Sequence, residues 1–320
     1  MRYTGMMAAL AVGTGLVAGG AFAQGSYPAK PVKIVVPFAA GGSPDTWTRL
    51  LVKVMEPRMG QPLLVENRTG GNSTIGMAYA AKAAPDGYTI TYSTNSGTST
   101  ARALFKSLPY DPINDFAGII IAQESYFALV VNKSEHGVTL AQLLDKVRKS
   151  PDKFTVGTAS TTMEMLDKLM ENAAKVQLTF ARYATPANQV ADLLGGRTQM
   201  IIHTLNAAKI MHDSGQGYAV AVSSPERLSA MPDTPTIAET LPGVTLGPWT
   251  GYFAPAKTPR PIVNFLYTRF AEAVKTPAAQ TYGLNSGRVL TMPPEEVDAF
   301  VKKDEPRWMA LAKAAGIEPE

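Results

Sequence analysis

The sequence predicts an α/β protein of two lobes, each a mostly parallel sheet flanked by helices. Three observations lead there. Apolar β-branched runs alternate with segments of helical periodicity, in two series of similar size. The connections are short, and several are rich in Gly, Ser and Thr. With 320 residues and 45% hydrophobic content, the chain is long enough to bury two cores.

The first series opens at residues 32–38 (VKIVVPF), a buried strand ended by Pro37. Trp47, Leu50, Leu51, Val54 and Met55 then recur at helical spacing, and Gly60 ends that helix. Residues 63–65 form a second strand, and Ile75, Ala78 and Tyr79 lie on a second helix. Pro85-Asp86-Gly87 turns the chain into a third strand at 88–92 (YTITY), and a further helix opens at 100–105. The second series starts near Phe127 (FALVV). It runs through a helix at 140–147, a strand at 154–156, a helix at 162–173 and a strand at 176–183. A helix at 188–194 and strands at 200–203 and 218–222 complete it. Residues 225–259, dense in proline, read as turns and loops. Helices at 261–274 and 294–315 close the chain. The expected division is 27–126 plus 223–260 for lobe I and 127–222 plus 261–320 for lobe II, with the C-terminal helices packing across both.

Residues 1–23 stand apart. Arg2 precedes an apolar run at 6–18, and Ala21-Phe22-Ala23 supplies an A-x-A cleavage pattern before Gln24. The run is too short to span a bilayer and no second one follows, so the segment reads as a cleaved signal peptide and the mature chain as an exported, periplasmic one. Loss of Arg2 leaves 29 basic against 26 acidic residues, a net charge of +3 without a basic block. That excludes a nucleic-acid footprint. The absence of cysteine excludes a thiol nucleophile, a thiolate zinc site and a disulfide framework.

In open α/β sheets, ligands bind beyond the carboxyl ends of the strands, so the strand-to-helix loops carry the functional reading. Four of them are rich in small and hydroxyl residues: 38–45, 67–73 (NRTGGNS), 93–100 (STNSGTST) and 157–162 (GTASTT). In the first, Ser43 suits an N-cap, Pro44 the first helical position and Asp45 the first turn. Residues 39–42 present bare backbone N–H groups, either as an oxyanion nest or simply as a tight turn. No Lys or metal-binding hydroxyl follows them as in a P-loop, so a carboxylate is the anion that fits. The Ser and Thr clusters of the other loops read as ligand-facing or as local caps. Neither H-x-x-x-H, G-x-S-x-G nor a Walker pattern occurs among the three histidines His136, His203 and His212 and the rest of the chain. Neither catalysis, a metal nor a cofactor is expected.

With these residues in hand, the chain resembles the Bug family of periplasmic solute-binding proteins, receptors of tripartite tricarboxylate transporters. The resemblance rests on "YPAKPVKIVVPFAAGGSPDTWTRLL", "GQPLLVENRTGGNSTIG", "AAPDGYTI", "DLLGG", "PDTPTIAE" and "GYFAPAKTP", in family order. It implies a two-lobe periplasmic binding protein, a Venus flytrap that closes on an organic carboxylate and hands it to the membrane permease subunits. It implies that Phe38, Ala40, Gly41, Gly42 and Ser43 hold one carboxylate, with Asp45 the family's acid in that loop, and that 157–162 is the facing loop.

The chain departs from the family's pattern where selectivity would be set. It has "GTASTTM" in place of a "GSAGxGS"-like loop, putting Thr158, Ser160, Thr161 and Thr162 at the mouth, with Ser96 from the third loop. It has "YATPANQ" in place of "YKGSAPA", which adds Thr185, and "QMIIH" in place of "DLMFD", which puts His203 where an Asp is typical. An imidazole in place of a carboxylate would tolerate a second carboxylate on the ligand, unless His203 is merely a core histidine ending its strand. Phe38 and Trp47 would suit an aromatic ring, although Trp47 also lies on the apolar stripe of its helix. The expected ligand is therefore an aromatic dicarboxylate such as terephthalate. A monomeric receptor serving a permease is expected, with a ligand-loaded sensor for a signalling system as the alternative.

Overall fold

The computed structural model describes residues 27–319 as two lobes, each built on one sheet. The expected signal peptide lies outside the described residues. In chain order the strands are β1 (Val32–Val36), β2 (Leu63–Asn67), β3 (Thr89–Thr94), β4 (Phe116–Ser125), β5 (Phe127–Asn132) and β6 (Thr155–Thr158). They continue with β7 (Thr179–Arg182), β8 (Met200–Thr204), β9 (Gly217–Val222), β10 (Trp249–Pro255) and β11 (Gly287–Met292). The helices are α1 (Ser43–Met59), α2 (Thr74–Ala81), α3 (Ala101–Leu104), α4 (Leu140–Lys149), α5 (Thr161–Ala174) and α6 (Pro186–Leu194). After them come α7 (Leu205–Asp213), α8 (Ile237–Thr240), α9 (Arg260–Val274), α10 (Pro277–Ser286) and α11 (Pro294–Ala314).

The first sheet runs β11-β4-β10-β3-β1-β2 and the second β7-β6-β8-β5-β9. The expected parallel pairing holds for β2-β1-β3 and for β7-β6-β8, the classical strand–helix–strand units. The remaining partners are antiparallel: β10 inserts between β3 and β4, β11 adds to the edge of β4, and β5 pairs with both β8 and β9. The sheets are thus mixed.

The chain passes between lobes at Tyr126, which separates β4 from β5. It returns through the segment before β10. Ser223 ties the two passes together, its N–H donating to the Phe127 carbonyl and its Oγ to the Leu246 carbonyl.

The expected division needs two corrections. Residues 223–246 pack on the second lobe, because Ile237, Leu241, Val244 and Leu246 fill its core and Val222 bridges Thr236. Conversely, α9 and β11 belong to the first lobe. Val263, Leu266 and Phe270 pack among its core residues, and β11 extends its sheet. Helix α11 joins both. Its Val297 and Val301 lie in a first-lobe cluster, while Trp308, Ala312 and Ala315 lie in the core of the second. Asp304 pins the crossing: one carboxylate oxygen accepts from Trp249 Nε1 (2.6 Å), Trp308 Nε1 (2.8 Å) and Ser99 Oγ (2.9 Å).

Candidate functional site: an uncharged cleft between the lobes

The loops after β1, β2 and β3 face the loops after β6 and β8 across a cleft whose cavity volume is about 270 Å³. Its wall carries aromatic rings, hydroxyls and amides, and no charged side chain among the described residues. Each loop reaches the wall by its own means.

After β1, Phe38 packs edge-on against Tyr92, with ring centroids 5.8 Å apart, and both line the cleft. Gly41 takes a left-handed conformation (φ 77°), and the chain then enters α1 with Gly42 as N-cap. Ser43 is therefore the first helical residue rather than the cap, and it lines the cleft together with Pro44. The expected nest is partly self-occupied. Gly41 N–H donates to Asp45 Oδ2 (2.9 Å) and Gly42 N–H to the Ala39 carbonyl (3.2 Å). Asp45 is buried and accepts as well from Arg49 Nε and from Asn67 Nδ2 (3.0 Å). Burial by itself would raise its pKa, and the donations from Arg49, Gly41 and Asn67 outweigh that and hold the carboxyl below its usual range. Ala40, Gly41, Gly42 and Asp45 do not line the cleft, and the Gly41 N–H is already given to a carboxylate of the loop itself. What the loop offers the cleft is the amino end of α1.

After β2, four successive residues have positive φ: Gly70 (116°), Gly71 (52°), Asn72 (52°) and Ser73 (80°). The last two are not glycine, and such conformations cost about 1 kcal/mol or more each and gather at functional sites. Here they put Asn72 and Ser73 on the wall at the start of α2. After β3, Thr94 Oγ1 accepts from Ser96 N–H (3.2 Å), and Thr94, Asn95 and Ser96 all face the cleft.

The second lobe contributes α5 and α7. Ser160 caps α5, its Oγ accepting from Met163 N–H (3.3 Å), and Ser160, Thr161, Thr162 and Met163 form that part of the wall. Thr204 and Asn206 do the same at the start of α7. Thr158 lies under its loop, donating to the Ser160 carbonyl (3.3 Å), and Thr185 caps α6 at the surface, so neither reaches the cleft. Nor does His203. Alternation along β8 sends it to the face of Ile201, where it is 6% exposed and Nδ1 accepts from Thr204 N–H (2.8 Å). Burial holds its pKa down, keeping the ring neutral.

The walls between the loops escaped the sequence reading. Trp47 does line the cleft, stacked on Tyr282 (5.4 Å between centroids). Tyr282 and Ser286 come from α10, and Tyr282 donates its hydroxyl to the Ser43 carbonyl (3.1 Å). Gln123 and Ser125 come from the end of β4, Tyr126 from the pass that follows it, Phe127 from the start of β5 and Thr250 from the start of β10. Arg68 and Arg182 are not on this wall. Arg68 stacks on Tyr79 and pairs with Glu66, and Arg182 pairs with Glu164. Among the described residues, no group of three or more His, Cys, Asp or Glu is placed to hold a metal.

Two mixed sheets joined by crossing passes, with an uncharged and largely apolar cleft between them, have the architecture of the periplasmic binding proteins. The family model described as "Tripartite tricarboxylate transporter family receptor" matches residues 48–317, and the chain belongs to that family. A protein of the TAR-I ttuE-ttuC' intergenic region of Agrobacterium vitis is 35% identical over 258 residues, 80% of this chain and 74% of its own. The structure of the periplasmic binding protein BugD superposes with a TM-score of 0.80 at 31% identity, covering 92% of this chain and 100% of that one. An R. palustris protein solved with adipate gives a TM-score of 0.83 at 29% identity, with the same coverage. The family is one of periplasmic receptors, not of enzymes.

Proposed function

We propose that this chain captures an aromatic dicarboxylate, terephthalate being the ligand we name, and delivers it to the membrane subunits of a tripartite tricarboxylate-type permease. One observation carries the reading: the starts of α1 and α2 on one lobe and of α5 and α7 on the other converge on a cleft that has no charged side chain. Each helix N-terminus carries roughly half a positive charge and unsatisfied N–H groups, and favours an anion by about 0.3–1 kcal/mol at exposed sites and up to ~2 when partly buried. Oxyanions at opposite ends of one ligand would engage both lobes. The solved relative with adipate holds a two-ended acid of that kind. The body between the ends meets the rings of Phe38 and Tyr282, which Tyr92 and Trp47 back from within the first lobe.

Function follows from differential affinity. A ligand that touches both lobes stabilises the conformation in which they are closest, and the permease distinguishes that conformation from the empty one. No bond in the ligand changes. The test is a calorimetric titration of the mature chain with terephthalate, benzoate, adipate, citrate and glutamate. Terephthalate should bind most tightly, and binding of the aliphatic acids alone would sink the aromatic reading. Uptake of labelled terephthalate in a strain lacking the receptor tests delivery, and undiminished uptake would reject it.

A further inference from the structure

The cleft borders a second cavity, of about 310 Å³. Three residues line both spaces: Asn72 before α2, Leu104 at the end of α3 and Thr161 at the start of α5. They form a waist between the two. Asn72 is exposed and Thr161 half-buried. Leu104 is 4% exposed and packs in the core of the second lobe, so a close-packed surround holds its side chain in place.

The two spaces differ in charge. The cleft wall has no charged side chain among the described residues, whereas Glu164, Arg182 and Glu318 line the second cavity. Arg182 Nε already donates to Glu164 Oε2 (2.9 Å). A carboxylate that passed the waist would therefore meet two acids against one paired base, and like charges at close range repel. The waist also stands at one end of the proposed ligand. Ser160 caps α5 and Thr161 is its next residue. Glu164 follows three positions on, the spacing that sets two side chains on one helix face. An acid that grew past Ser160 along this face would run from Thr161 toward Glu164, and Leu104 borders that passage.

We propose that Leu104 is the stop that sets the length of acid this receptor accepts. The far end of the ligand rests at the start of α5, and an acid longer than one ring is turned back by the leucine side chain and, beyond it, by Glu164 and Glu318. The inference rests on the carboxylate reading of the cleft and assigns Leu104 as its length-selecting residue.

The experiment titrates the full mature chain, by calorimetry, with benzoate, terephthalate, para-phenylbenzoate and the biphenyl analogue of terephthalate. Each one-ring acid should bind at least about tenfold more tightly than its two-ring partner, since overfilling a packed site carries that order of penalty. Leu104→Ala opens the waist and should raise affinity for para-phenylbenzoate at least about tenfold, with terephthalate held within about threefold. The biphenyl diacid should gain less than para-phenylbenzoate, because its far carboxylate reaches the acids of the second cavity. Should the alanine variant not fold, Leu104→Val opens the waist less and should shift para-phenylbenzoate in the same direction. Should neither fold, the comparison of one-ring with two-ring acids on the unaltered chain decides alone. Equal affinities of the unaltered chain for one-ring and two-ring acids, or no gain for para-phenylbenzoate in a folded Leu104 variant, would overturn the inference and leave the carboxylate reading standing. Binding of none of the four acids would overturn both.

Discussion

Asp45 offers the sharpest test of how the first loop works, because the sequence placed it on the ligand and the structure places it behind the loop. Replacing it with Asn removes the charge that receives Gly41 N–H at 2.9 Å, Arg49 Nε at 2.9 Å and Asn67 Nδ2 at 3.0 Å. A buried hydrogen bond to a charged group contributes about 1.5–3 kcal/mol. The Arg49 side chain is 52% exposed, so its ion pair adds only about 0.5 kcal/mol after solvent screening. The expected loss is therefore ~2–3 kcal/mol at pH 7, a fall of several degrees in melting temperature for a chain of this size. The pH dependence follows from the lowered pKa of the folded state. Such a carboxylate contributes stability above its unfolded value, near 3.9, and loses it as pH falls through the folded value below that. The gap between Asp45→Asn and the unaltered chain should thus be full at pH 7 and narrow below about pH 4. Thermal melts and ligand titrations at both pH values measure it. Undiminished stability at pH 7 with abolished ligand binding would refute the positioning role and return Asp45 to the ligand.

Other expectations follow from the same geometry. Asp167 is buried with Oδ2 unpartnered, and burial holds its pKa well above the carboxylate range. Its unfolded form releases the proton first, so this group costs stability as pH rises above about 4; Asp167→Asn should stabilise by ~1–3 kcal/mol at pH 7.5 and by little at pH 4 in chemical denaturation. Ser160→Ala removes the α5 cap and should cost about 1 kcal/mol in the same assay, together with ligand affinity. Because His203 faces the core, His203→Asn should leave ligand affinity within about twofold, and affinity should stay flat from pH 6 to 8. A pH-dependent affinity abolished by that variant would restore His203 to the site.

Much of this was legible because strand-to-helix loops carry local signals. The four Gly/Ser/Thr-rich loops picked out by composition all supply wall residues, and Phe38, Ser43, Ser96, Ser160, Thr161 and Thr162 are among them. What escaped is long-range or a matter of facing. Strand β10 hides in a proline-dense stretch because its identity comes from being sandwiched antiparallel between β3 and β4. Tyr282 meets Ser43 from 239 positions away, which no local pattern records. Ala40, Gly41 and Gly42 fall off the wall for another reason: bare backbone signals a place for an anion, but not that Asp45, four residues beyond Gly41, takes one of its N–H groups. The waist at Leu104 is visible only once packing shows which two cavities it borders.

The most direct test of the central claim is a crystal structure of the mature chain soaked with terephthalate. The account predicts carboxylate oxygens at opposite ends of the ligand, one at the start of α1 beside Ser43 and one at the start of α5 beside Ser160, with the ring against Phe38 and Tyr282. A ligand held instead by Arg68 or Arg182, or lying outside the cleft, would contradict it.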